Sequence, residues 1–258
     1  MADDEFEVDE PDLAEIEAAR GRHEVATLEG VRPLLNLLDS PVPAVLTSAA
    51  NALFNLTIES ANADMVREAG GLAKLHGLLG HEEAAVVASM AGVLMNCCAS
   101  STACLDDLAT AGLLDTLLPL LHESFGEEGP IAAPELGARL LGALNNLLLH
   151  AATARAIRPA GALGVILRPL TDADASEAMQ EDAASSLVRV LQEDDEAGGA
   201  MVEAGMLSHV APLLDSPNEE LQASRRPASA RPAAPPSAPA LRLARRRVCR
   251  GRRCARAA

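Results

Sequence analysis

The strongest constraint in this 258-residue sequence is that it repeats itself. Ala49-Ala50-Asn51-Ala52-Leu53-Phe54-Asn55-Leu56 reads as the middle of an amphipathic helix carrying one polar Asn. Cognates stand at Met90-Ala91-Gly92-Val93-Leu94-Met95-Asn96-Cys97 and at Leu140-Leu141-Gly142-Ala143-Leu144-Asn145-Asn146-Leu147. A fourth copy, Ala183-Ala184-Ser185-Ser186-Leu187-Val188-Arg189-Val190, has lost the Asn. The key position falls at 55, 96, 146 and 189, so it returns after 41, 50 and 43 residues. A second motif, a Gly followed by apolar residues and then a Leu pair, runs in the same register. Its last Leu sits at 38, 79, 121, 170 and 214. Two independent motifs with one period of about 40 to 50 residues are the signature of a helical solenoid. Each unit cannot bury its own apolar stripe and must stack on its neighbours.

These motifs resemble the armadillo repeat: a short first helix, a Gly turn, a second helix ending in a Leu pair, and a long third helix with an Ala-rich stretch and Leu-x-Asn-Leu. The resemblance covers residues 22–222. It implies an all-α, right-handed α-solenoid of about four complete helix triplets (22–61, 62–103, 104–152, 153–196) and a partial fifth (197–222). Within it, Gly30 is read as the turn of the first repeat, and Asn62 and Ser176 as N-caps. Pro134 is read as a first-turn residue. About eight extra residues, including Phe125-Gly126-Glu127-Glu128-Gly129-Pro130, separate the second and third helices of the third repeat.

Composition agrees. Leu and Ala dominate, there is no Trp or Tyr and only three Phe, so aliphatic side chains must build the core. Leu and Ala are also good helix formers. No run of 18 apolar residues exists to span a membrane, and the acidic start is the opposite of a signal peptide. The cytoplasm is the expected location, with the nucleus as the alternative. Residues 1–17 hold nine acidic and no basic side chains, and 1–21 are read as a disordered segment. The repeat pattern fails after Gln222. From 224 onward there are 11 Arg and no acid, leaving a body with 10 basic and 37 acidic side chains, net −27. Residues 223–258 are read as an Arg/Ala/Pro-rich disordered tail. A native tail and a changed reading frame in a GC-rich gene would each produce such a break.

The function implied by the resemblance is non-catalytic: a scaffold or adaptor holding an extended peptide segment along a groove of third helices. Positions four apart share a helix face. That face reads Asn51, Asn55 and Glu59; Gly92, Asn96 and Ser100; Gly142, Asn146 and His150; Ser185, Arg189 and Glu193. In armadillo proteins that bind extended peptides the equivalent Asn holds the peptide backbone, which the resemblance extends to Asn55, Asn96 and Asn146. The same Asn could instead bond within or between neighbouring helices. The candidate groove residues are Asn51, Asn55, Asn96, Arg139, Asn146, His150 and Arg189. Import receptors of this fold carry Trp four residues before the Asn. Here Asn51, Gly92, Gly142 and Ser185 stand there, which argues against classical nuclear-signal binding. An acidic body favours protein partners with basic or neutral segments. The alternative is a nucleic-acid or acidic-surface binder working through the Arg tail. Self-association through the uncapped fifth repeat, where Leu207, Val210, Leu213 and Leu214 lack a cover, is also expected. No metal or cofactor is expected: the six His lack metal-ligand spacing, and Cys97 reads as a small core residue.

Overall fold

A computed structural model describes residues 21–22, 30–126, 133–172 and 175–203. Every regular element among them is helical. The first repeat contributes α1 (Val31–Leu37) and α2 (Pro43–Leu56). The second contributes α3 (Ser60–Glu68), α4 (Gly71–Gly77) with a 3-10 turn at Leu78–Gly80, and α5 (Ala84–Ser100). The third is α6 (Thr102–Thr110), α7 (Leu113–Phe125) and α8 (Pro134–Leu147). The fourth is α9 (Ala151–Ala156), α10 (Leu163–Thr171) and α11 (Glu177–Glu193), and α12 (Ala197–Glu203) opens the fifth. The long third helices α2, α5, α8 and α11 pack side by side in that order. The first helices start at Ser60, Thr102, Ala151 and Ala197.

The turns follow from local chemistry. Gly70, Gly112 and Gly161 sit between first and second helices with φ of +75°, +76° and +69°, a region that favours glycine. Gly30 instead has φ −64°, so the first repeat enters α1 without a left-handed turn. Gly71 is glycine for another reason: a Cβ there would lie 2.7 Å from Leu35 Cδ2 and 2.9 Å from the Val66 carbonyl oxygen. Pro43 and Pro134 occupy the first turn of α2 and α8, where no amide is needed. Ser176 caps α11 by accepting from the Met179 amide at 3.3 Å, and Ser101 caps α6 by accepting from Cys104.

Two local expectations are corrected. Asn62 is not an N-cap: α3 already begins at Ser60, and buried Asn62 donates through Nδ2 to the Leu56 carbonyl oxygen at 2.9 Å. It closes the end of the preceding helix, where carbonyls lack in-helix partners. Phe125 does not belong to the loop of the third repeat. It is the last residue of α7, fully buried, with its ring where a Cβ on Gly137 would stand 2.5 Å away. Residues 127–132 of that loop lie outside the described residues.

The core is one continuous aliphatic cluster running through the repeats. The last Leu of each pair is buried at Leu38, Leu79, Leu121 and Leu170, which is why the pair recurs. Cys97, Cys98 and Cys104 are buried within it. Burial pushes the Cys98 thiol up to about 12. A hydrogen bond between Cys97 and Cys104 raises the former and lowers the latter. The expected disordered ends, the second helix of the fifth repeat and the Arg tail lie outside the described residues, as do Cys249 and Cys254.

Candidate functional site

The third helices carry three rows of side chains, and each row has a different fate. The central row staples repeat to repeat. Asn96 Nδ2 donates to the Phe54 carbonyl oxygen at 2.8 Å, and Asn146 Nδ2 donates to the Met95 carbonyl oxygen at 3.1 Å. Arg189 Nη1 donates to the Asn145 carbonyl oxygen at 3.2 Å. In every case the acceptor precedes the key residue of the repeat before. Phe54 and Asn145 lie in the last turns of α2 and α8, where carbonyls lack an amide four residues on. This regularity explains how Arg can replace Asn in the fourth copy: what the position requires is a donor. Asn55, first in the row, is exposed, and its side chain makes no hydrogen bond among the described residues.

The row one turn later is spent inside the chain. Glu59 pairs with Arg22 at 3.3 Å and Glu193 with Arg155 at 3.3 Å. Ser100 Oγ donates to the Asn96 carbonyl oxygen at 2.7 Å. His150 Nδ1 lies 3.2 Å from Thr153 Oγ1. Glu59, Ser100 and Glu193 thus meet partners from their own repeat, and His150 meets the first helix of the next.

The row one turn earlier opens the groove. Gly92 is buried between Phe54 and Arg139, from the repeats on either side. A Cβ there would meet the Phe54 ring at 3.3 Å and Arg139 Nη1 at 3.4 Å. The Arg139 guanidinium lies 4.9 Å from the centroid of the Phe54 ring, within the range of a cation–π contact. Beside this pair is a groove of about 520 Å³. α2 supplies Thr47 and Asn51, α5 supplies Ala84, Ala85, Ala88 and Ser89, and α8 supplies Pro134, Glu135 and Leu136.

One repeat later the same device is closed. Gly142 admits Met95 Sδ, 2.7 Å from where its Cβ would be, and Asp182 Oδ2 at 3.3 Å. Asn145, buried, donates to Asp182 Oδ1 at 2.8 Å and accepts from Arg189 at 2.7 Å. Burial raises the Asp182 carboxyl above its ordinary value, against the Asn145 hydrogen bond and the Arg189 charge. Burial likewise lowers Arg189.

The structure therefore gathers Asn51 and Arg139 at one groove and leaves Asn55 exposed nearby on α2. It engages Asn96, Asn146, His150 and Arg189 within the chain. Sequence reasoning missed Phe54, which nothing but its place before the key Asn could have marked. It also missed the Asn145–Asp182 pair. Among the described residues no His, Cys, Asp and Glu cluster could hold a metal, and no helix is long and apolar enough to cross a membrane.

The sequence profile of the armadillo/beta-catenin-like repeat matches residues 19–58. A crystal structure of an engineered protein superposes with a TM-score of 0.69 at 27% identity, covering 82% of this chain and 83% of that one. A designed armadillo repeat protein also gives 0.69, at 24% identity over 84% and 92% of the two chains. The chain carries an armadillo-type repeat at its start and has the fold of an armadillo-repeat solenoid. A second designed armadillo protein, solved in complex with a (KR)4 peptide, matches at TM-score 0.66 and 24% identity over 79% of this chain and 82% of its own. No curated protein matches the chain.

Proposed function

We propose that this armadillo-repeat chain is a non-catalytic interaction module that holds an extended peptide segment across α2, α5 and α8. The observation that carries this reading is the groove itself. It crosses three consecutive third helices, its middle wall is small Ala and Ser side chains, and Asn51 stands exposed at its side. An amide offers both a donor and an acceptor to a passing backbone, and Asn51 and Asn55 have both unspent. The (KR)4 complex of the designed armadillo protein is a precedent for peptide capture on this fold. The body's net −27 favours a segment that is basic or neutral overall.

The staple geometry refines which residues do this. Asn96 and Asn146 each commit an amide donor to the fold, so their free capacity is smaller than that of Asn51 and Asn55. The test is a peptide-display selection on the full chain with two blocking variants. Ala85→Trp fills the groove, and Ala73→Trp places the same bulk on exposed α4. Binding abolished by the first and retained with the second supports the groove. Equal binding to both places the interaction elsewhere. The Arg tail as a nucleic-acid or acidic-surface binder stands as the second reading, separated by whether truncation after residue 223 removes salt-dependent binding.

A further inference from the structure

We infer that the Phe54–Arg139 pair is a subsite for a single Asp or Glu carboxylate carried by an otherwise neutral or basic segment. This rests on the groove reading above and specifies its ligand. Among the described residues Arg139 stands apart from the other cations. Arg22, Arg67, Lys74, Arg155, Arg158 and Arg168 each stand within 4.0 Å of a carboxylate oxygen. Arg189 is turned onto Asn145 with Asp182 beside it. Arg139 has no carboxylate and no hydrogen-bond partner among the described residues; its guanidinium lies on the Phe54 ring. Arg32 also lacks a partner, but it is exposed on α1 and outside the groove wall. Among the described residues of an acidic body, a half-buried guanidinium without an acid is the exception.

A partner is within reach of Arg139 and is not used. Glu135 precedes Arg139 by one turn on α8, the favourable order for a helical ion pair. Instead the guanidinium lies over Phe54, in space that Gly92 leaves open. Glycine inside an α-helix is unfavourable relative to Ala, and α5 carries one at its middle. The aromatic face holds the guanidinium plane while its N–H fork stays unspent. That fork matches the two oxygens of a carboxylate. Asn51, across the same groove, supplies an amide donor. The side-chain-uncapped starts of α5 and α8 line the same groove and add a weak field of the same sign. The negative body disfavours a wholly acidic ligand, and Glu135 disfavours a second carboxylate next to the first.

The test uses the full chain and random linear peptides counter-selected on Ala85→Trp. The expected result is a fixed Asp or Glu in the groove-dependent binders. Its replacement by Asn or Gln weakens binding roughly tenfold or more to the parent chain, as for a lost charged hydrogen bond. The same replacement changes affinity less than about twofold on Arg139→Gln, whereas Glu135→Gln tightens the acidic peptide. Groove-dependent binders without an acid, or an acid whose loss costs as much on Arg139→Gln as on the parent, overturn the inference and leave peptide capture standing. Binders indifferent to Ala85→Trp, or none, overturn the groove reading and the subsite with it. Should Arg139→Gln lose helicity by circular dichroism, the Glu135→Gln arm decides: no gain in affinity for the acidic peptide rejects the subsite.

Discussion

Gly92 and Gly142 occupy the same place in consecutive repeats, four residues before the staple Asn, and each makes room for side chains from both neighbours. Around Gly142 the neighbours are Met95 and Asp182, and the carboxylate is tied through Asn145 to Arg189. Around Gly92 they are Phe54 and Arg139, and the guanidinium meets an aromatic face and, among the described residues, no acid. One polar set closes on itself around buried Asn145, with Asp182 and Arg189 half-buried beside it; the other borders a groove of about 520 Å³. A buried charge must find its counterpart within the fold, because removing it from water costs several kcal/mol per ion. A half-exposed charge can leave its donors to solvent or a ligand. On the reading proposed above, the solenoid repeats one backbone device and assigns it to stability in one repeat and to recognition in the next.

The change that most directly breaks this contrast is Asn145→Leu. It leaves half-buried Asp182 and Arg189 without their shared partner, and we expect a loss of about 2 kcal/mol in urea unfolding monitored by circular dichroism. A loss below about 1 kcal/mol would show that the closed cluster is not what holds the third and fourth repeats together. The staple row comes next. Asn96→Ala and Asn146→Ala should each cost about 1 kcal/mol, the net value of a hydrogen bond, while Asn55→Ala stays within about 0.5 kcal/mol. Equal effects at all three would mean that the inter-repeat bonds contribute nothing.

Titration sharpens the contrast further. The folded chain raises the Asp182 carboxyl, so it holds that proton more tightly than the unfolded chain does. This group's contribution to stability must therefore fall as pH rises through the range above the ordinary Asp value of about 4. Asp182→Asn should flatten that part of the stability–pH curve, and an unchanged slope would assign it elsewhere. The smallest effect is expected at the open site. Arg139→Gln loses an exposed cation–π contact of about 0.5–1 kcal/mol, so thermal unfolding should barely move even where peptide affinity does.

Much of the architecture was legible because it depends on local, repeated chemistry. The Leu pairs marked which residue is buried, the Gly turns marked three of the helix junctions, and Pro134 marked a helix start. Asn62 misled because a capping residue type can close the helix before it as readily as open its own. Phe125 misled because Gly-Glu-Glu-Gly-Pro reads as loop, and the helix running up to it is held by packing on Gly137. Of the candidate site, Asn51 and Arg139 were found where the groove is. Asn96, Asn146 and Arg189 were read as groove residues by register alone, and register does not say which end of an amide is already used.

Period, helix content, core-facing Leu and the charge division between body and tail are properties of the chain itself. They follow from side-chain size, backbone preference and simple counting along one dimension. Which arginine is paired and which is open was decided only when the helices stacked. Phe54 and Arg139 are 85 residues apart, and Asn145 and Asp182 are 37 apart. Their meeting depends on the space above Gly92 and Gly142, which no single repeat contains.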